Sequence, residues 1–399
     1  MPGEFEPQQA VWLGLDSFNN TVTKDLVKAL LPYVNIKFVS QSDSVLQKGK
    51  SYLSKNGIDT GKIQFYVMPD NQFYMRDHGA TFIKNADGEI KAVDFSWSSY
   101  GYADRLMEKY NNDTIKVDSI LTAYRYFKSK RGKVDSLMGI AEKVAIVPSW
   151  IKIEGGAIES NGRGTLLLNE PLTLSRNKGV SKDSIEKEFK RVLGIKNIIW
   201  LRDGLAEDPD GFATITGKYV GLGAGGHIDE YARFADTNTI LLAWIDEADK
   251  DKNPVNKINY DRMHVNYEIL QKARNENGAQ FKIVKVPLPD LIGVKIRMSE
   301  PGNSSGFNVP VSIFKPSDGW KIGDSAIYVA ASSYLNYYVT NGIVLLPTYV
   351  NEGSSPQKEE KVKEIFNEVF PGRKLVFIDA MPMNWEGGGI HCATQPEPK

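Results

Sequence analysis

Five short stretches scattered along this chain share one composition, and that recurrence constrains the fold more than any other feature. RDHGATFI from Arg76, EGGAIESNGRGTLLL from Glu154, GHIDEYARFADTNTILLAW from Gly226, SSYLNYYVTNGIVLLP from Ser332 and GGGIHCATQ from Gly387 each set polar or glycine residues beside a β-rich run. Between successive stretches there is room for a helix and another strand, so the chain reads as weak repetition of an α/β unit, about five times over. Five such units can close around an axis, with each polar stretch at the central end of its strands. Residues far apart in sequence would then meet in one site. Ordinary layering of helices on an α/β sheet is the simpler alternative and stays open at this level.

Periodicity supports the α/β assignment. Amphipathic helices are predicted over residues 25–33, 181–193, 260–275 and 359–370, the second and third opening on capping residues and the last ending at Pro371-Gly372. Strands are predicted over 36–40, 63–67, 198–200, 239–244, 282–286, 343–347 and 375–378. No Pro/Ser-rich linker divides the 399 residues, so one catalytic domain over 1–399 is expected.

Composition narrows the function classes. Lys+Arg and Asp+Glu both number 49, so no basic surplus points to nucleic acid or an anionic membrane. No apolar run approaches the length of a membrane span, and MPGEFEPQQAVWLG lacks the basic-then-apolar order of a signal peptide. A cytoplasmic location is therefore the default expectation, a trimmed export signal leaving the same trace, and a homo-oligomer is left open. The single cysteine, Cys392, rules out an intramolecular disulfide and any zinc site built from several thiolates.

The same cysteine is the strongest chemical candidate. Gly387, Gly388 and Gly389 precede it, allowing close backbone approach that a structural strand rarely needs in series. If the segment is extended, His391 and Cys392 point to opposite faces, which makes His391 a poor base for its neighbour and a structural residue. His227 is the better acid–base candidate: along a strand, His227 and Asp229 would share a face, an arrangement suited to proton transfer on a bound polar group. Asp77 and Glu154 stand against glycines in the same kind of cluster. Each alone reads as a turn or a cap. Together, several acids around one thiol make little sense for an anion and fit a cation, above all a planar guanidinium matched by bidentate carboxylates.

From MPGEFEPQQAVWLG through MRDHGATF, EGGAIESNGRGTLL, GHIDEYARF and SYLNYYVTNGIVLLP to GGGIHCATQ, the chain resembles the agmatine deiminases and related bacterial peptidylarginine deiminases. The resemblance implies the pentein fold, a five-bladed α/β propeller with pseudo-fivefold symmetry. It implies a nucleophile at Cys392, a general acid/base at His227, guanidinium-holding carboxylates at Asp77 and Asp229, and Glu154 against the substrate or His227. Tyr74, Arg76, Asn336 and Gly389 join them as substrate-binding residues. The implied reaction is hydrolysis of agmatine to N-carbamoylputrescine and ammonia through a covalent thiouronium, with no metal or organic cofactor and a small cationic guanidino substrate as the partner. Where the family reads Asn-Asp-x-Trp-x-Arg-Asp, this chain has Gln72 and Tyr74, which puts substrate identity in question. The cysteine motif lacks an Asn after its glycines, and residues 206–226 look expanded, as a lid or a surface loop.

Two motifs are decoys. Gly221 to Gly226 matches GxGxxG, but a β-like run follows it rather than a helix opening. Gly302 to Gly306 matches GxSxG in a polar loop with no strand-to-helix turn in view. Rival functions are a zinc hydrolase using His227, Asp229 and Cys392 or His391, a non-catalytic guanidino binder, and an amidinotransferase. Arginine or peptidyl-arginine is the alternative substrate; free arginine or a C-terminal arginine would need a carboxylate clamp, for which Arg176, Arg202 and Arg233 are the candidates.

Overall fold

A computed structural model of the chain describes residues 1–15, 20–68, 73–121, 133–301 and 308–399, a mixed α/β arrangement. Five of its sheets repeat one pattern: a short strand runs antiparallel to a central strand, which pairs in parallel with a third. In chain order the first four are Thr81–Lys84, Ile90–Asp94, Ala145–Pro148; Ile158–Ser160, Thr165–Asn169, Asn197–Leu201; Ala232–Phe234, Thr239–Trp244, Lys282–Pro287; and Tyr338–Thr340, Ile343–Thr348, Lys374–Asp379. The fifth takes its short strand, Thr394–Pro398, from the C-terminal end and lays it against Gln8–Gly14, followed by Asn35–Ser40 and Ile63–Val67.

The parallel step explains the helices. A parallel neighbour cannot be reached by a hairpin, so each central strand leads to the third through a helical crossover. Asn20–Leu30, Lys182–Leu193, Pro254–Lys272 and Pro356–Val369 serve this purpose, and their apolar stripes bury the sheet. Central strands covered on both faces read as continuous apolar runs: all six residues of Thr239–Trp244 are buried.

Helix boundaries differ from the sequence expectation where capping outweighs periodicity. The helix predicted over 260–275 is Pro254–Lys272, because Asn253 accepts the Asn256 N–H and Pro254 occupies the first turn. The helix predicted over 25–33 is Asn20–Leu30. Ser181 caps Lys182–Leu193 as expected, and Gly194 ends it at φ +67.

A sixth sheet lies outside the repeat. Its strand order is Asp210–Thr216, Tyr219–Ala224, Ser325–Val329, Gly293–Ser299, Asn308–Pro310. It has its own small core of Val220, Ile296, Met298, Phe314 and Ala326. The expanded stretch 206–226 is therefore mostly a hairpin of this sheet and not a loose surface loop. The GxGxxG decoy is its second strand and leads into a 3-10 turn instead of a helix. Gly302 to Gly306 of the GxSxG decoy, like Gln72, lies outside the described residues. No described helix is long and apolar enough to cross a membrane.

Candidate active site

The short first strand of each repeated sheet is preceded by a single tight turn, and the candidate residues sit on those turns. Asp77 lies in Met75–His78, Glu154 caps Gly155–Ala157, His227 caps Ile228–Glu230, Asn336 ends the turn at residues 333–336, and Cys392 lies in Ile390–Ala393. Two local expectations are corrected here. His227 caps and Asp229 lies within a 3-10 turn and not a strand, because the N–H groups of Glu230 and Tyr231 close back on His227 and Ile228. His391 and Cys392 are part of a helical turn, so they are not sent to opposite faces; both approach the same Asp229 Oδ2, at 2.6 and 3.6 Å.

Gly156 marks the convergence. A Cβ there would stand 2.8 Å from Asp229 Oδ2, 2.8 Å from His227 Nδ1 and 2.9 Å from Asp77 Oδ1, so three turns from three sheets meet at one glycine. The Gly156 N–H donates to Asp77 Oδ1 at 3.1 Å, and Tyr100 Oη–H donates to Asp77 Oδ2 at 2.9 Å. His227 lies between Asp77, 3.6 Å from Nδ1, and Glu154, 3.7 Å from Nε2. Both distances exceed a hydrogen bond. Glu154 is anchored from behind by Arg176 Nε at 3.1 Å, and Arg176 also reaches Asp210 at 3.2 Å.

Asn336 holds the cysteine turn. Its Oδ1 accepts the His391 N–H at 2.8 Å, and its Nδ2 donates to Glu230 Oε1 at 2.7 Å and to Cys392 Sγ at 3.2 Å. Gly389 makes this possible, since a Cβ there would stand 2.5 Å from Asn336 Oδ1.

A cavity of about 240 Å³ opens onto the group, lined by Cys392, His227, Asp77, Tyr74, Tyr100 and Gly388, with Asp208, Glu230, Glu386 and Arg105 completing the charged wall. Tyr74 Oη–H donates to the Met383 carbonyl at 2.8 Å, which fixes its ring in that wall. The remaining candidates lie behind it. Glu154, Asp229, Asn336 and Gly389 are buried and support the lining residues. Arg76 is turned away from the cavity: it donates to Glu4 Oε2 at 2.5 Å and to the His391 carbonyl at 3.4 Å, so direct substrate contact is not where the fold puts it. None of Arg176, Arg202 and Arg233 lines the cavity; Arg202 pairs with Glu170 at the surface, and Arg233 is fully buried against Glu159.

The acids set the proton affinities. Burial alone would lower the His227 imidazole, yet Asp77, Glu154 and Asp229 outweigh it and lift the group to about 10. Burial pushes Asp77 up to about 6, His227 opposing and Asp229 and Glu154 adding to the rise. Burial also works against ionised Glu154, but Arg176 and His227 prevail and bring it down to about 2. Burial, then Asp229, Asp77 and Glu230, drive the Cys392 thiol well above its ordinary value. The free protein therefore pairs a neutral thiol with an imidazolium.

Three contributors went unrecognised in the sequence. Asp208 Oδ2 accepts the N–H groups of Gly226 and His227 at 2.9 and 2.7 Å and so sets the His227 backbone. Glu230 and Tyr100 line the cavity. Glu230 adjoins the HxD pattern and could have been read from it; Asp208 and Tyr100 carry no local signal.

One thiol, one imidazole and a surplus of carboxylates around a small cavity define a cysteine site built to receive a cation. The chain belongs to the Porphyromonas-type peptidyl-arginine deiminase family, whose model matches residues 1–398. Among curated relatives, a protein of Latilactobacillus sakei named "Putative agmatine deiminase" is 27% identical over 100% of this chain and 95% of its own. The agmatine deiminase of Pseudomonas putida is 24% identical with the same coverage. Among solved structures, the agmatine deiminase of Enterococcus faecalis shares the fold at a TM-score of 0.74 and 23% identity, covering 100% of this chain and 95% of that one.

Proposed function

We propose that this protein hydrolyses a guanidinium group through a covalent adduct on Cys392, with agmatine as the substrate and N-carbamoylputrescine and ammonia as the products. The carrying observation is the wall of the cavity: Asp77, Asp208, Glu230 and Glu386 share it with one thiol. Carboxylates in that number favour a dication, and agmatine carries a guanidinium at one end and an ammonium at the other. We further read the five repeated sheets as the blades of a pseudo-fivefold pentein propeller. Their common strand pattern and the turn before each first strand support this reading.

The chemistry follows from the charges. A guanidinium entering between Asp77, Asp229 and Cys392 offsets the carboxylates that hold the thiol neutral, so binding itself favours the thiolate, and the thiol proton passes to solvent water because His227 already carries one. Sulfur then attacks the central guanidinium carbon. The C–N bond breaks, His227 gives its proton to the departing nitrogen, and ammonia leaves an S-alkylthiouronium on Cys392. The now neutral His227 takes a proton from water, the hydroxide adds to the same carbon, and the C–S bond breaks as the new hydroxyl gives its proton to solvent water, releasing the ureido product and the thiolate. Asp77 and Asp229 orient the carbon through both steps. Asp229 Oδ1 and both His227 ring nitrogens are buried without a hydrogen-bond partner among the described residues, and guanidinium N–H groups are suitable donors for the carboxylate oxygen.

Arg105 favours a second reading. Its side chain lines the cavity, held 2.7 Å from Asp210 Oδ1, and an arginine at that wall suits a substrate with a carboxylate, such as arginine or a peptide ending in it. A zinc hydrolase fits less well: both His391 ring nitrogens are engaged, and His227 stands apart from the grouping of Asp229, Glu230 and Cys392. Incubation with agmatine, arginine and a C-terminal-arginine peptide, with ureido product and ammonia measured, tests the proposal. Product from agmatine alone is expected. Product from the arginine substrates alone would transfer the specificity to Arg105. Turnover only with an added amine acceptor would make the protein an amidinotransferase, and binding of all three without turnover would make it a binder.

A further inference from the structure

The proposed chemistry leaves one buried charge cluster without a role. The Glu4 side chain is only 6% exposed and ties four of the five repeated sheets together. Its Oε1 accepts from Arg233 Nη2 at 2.9 Å and from the Val339 N–H at 3.3 Å; its Oε2 accepts from Arg76 Nη2 at 2.5 Å and from His391 Nε2 at 2.7 Å. Arg233 in turn donates to Glu159 of the remaining sheet at 3.1 Å.

The cluster reaches the site through a single side chain. His391 Nδ1 donates to Asp229 Oδ2 at 2.6 Å, and that same oxygen lies 3.6 Å from Cys392 Sγ. A neutral imidazole has one N–H, but here both ring nitrogens face carboxylate oxygens, and only the protonated ring can donate to both. Burial disfavours both charged acids, yet His391 and the neighbouring arginines hold Glu4 well below the ordinary carboxylate range, and His391 holds Asp229 below it too. An acid, an imidazole and a second acid thus connect the meeting point of the sheets to the sulfur.

We propose that Glu4 and His391 are positioning residues of the reaction, a carboxylate–imidazole pair that fixes Asp229 against Cys392. The proposal rests on the reading of Cys392 as nucleophile. A hydrogen-bonded partner behind a reacting group sets its orientation and charge, and removing such partners from metal-ligating histidines costs about 10- to 100-fold.

Substitutions at 391 separate positioning from packing. His391→Asn retains an N–H near the place of Nδ1, so it keeps the donor to Asp229 and cuts the link to Glu4. His391→Gln reaches toward the place of Nε2 and does the reverse. With agmatine as the probe, kcat of His391→Gln is expected to fall about 10- to 100-fold with KM little changed, and His391→Asn to fall less. A purely structural role would lower the melting temperature of both without this order. Alkylation of Cys392 by iodoacetamide is measured alongside, because it needs no substrate. His391→Gln leaves the Asp229 charge uncompensated beside the sulfur and should react more slowly than wild type. If His391→Gln does not fold, Glu4→Gln is measured instead: like His391→Asn it cuts only the link to Glu4, so a smaller fall in kcat is expected, and wild-type kcat in both variants overturns the proposal. Absence of guanidine turnover in the wild type would sink the deiminase reading alone, and the alkylation rates would still decide. Equal kcat and equal alkylation in wild type and His391→Gln overturn the proposal; where the wild type does not turn over, equal alkylation alone does so.

Discussion

At the scale of the residue, the site is a problem of placing negative charge. Asp77 shows the consequence. Its ionised form is the one that can hold a guanidinium, but burial has raised it to about 6. Because the shift is upward, Asp77 becomes protonated as pH falls through about 6, well above the range of an exposed aspartate. The rate constant kcat/KM reports the free enzyme. It should therefore drop as pH is lowered through about 6 in a profile taken from pH 8 to 4.5. A flat profile down to pH 4.5 would show that Asp77 is not the group that must be ionised. The chemical identity of these residues was readable because Cys392 is the only thiol and His227 one of four histidines. Orientation was not: whether His391 and Cys392 share a side depends on a helical turn that an extended reading of GGGIHCATQ misplaces.

At the scale of the element, the turns before the first strands do the positioning, and helix caps brace them. Asn169 is the clearest case. Its Oδ1 caps Glu170–Arg176 through the Leu172 N–H at 2.9 Å, while its Nδ2 donates to the Gly226 carbonyl at 2.8 Å, next to His227. Loss of a cap costs about 0.5–2 kcal/mol. Asn169→Ala also leaves the buried Gly226 carbonyl without this donor, so a loss of roughly 2 kcal/mol in chemical denaturation is expected. A loss below the cap range would mean that the Gly226 contact contributes little. Two of the five central strands were legible in sequence because strands covered on both faces must be continuously apolar: 239–244 matches the observed bounds, and 343–347 stops one residue short of Ile343–Thr348. The start of Pro254–Lys272 was not, because Asn253-Pro254 sits in a polar run that reads as a loop.

At the scale of the whole molecule, five units of one pattern bring residues from positions 77 to 392 to a single cavity, and the two ends of the chain pair in one sheet. The recurring polar clusters disclosed the repeat, since each has to end its strand at the shared site. The sixth sheet was hidden: its strands come from two separated segments, 210–224 and 293–329, whose pairing has no local signature, and it supplies Leu222, Gly223 and Ala224 to the cavity wall. The central claim is that all five units converge to serve one sulfur. The most direct measurement is ureido product formed from agmatine by Cys392→Ala beside the wild type. The account predicts turnover by the wild type and none by the variant, with the variant still folded. Turnover by Cys392→Ala at a rate near the wild type's would contradict it.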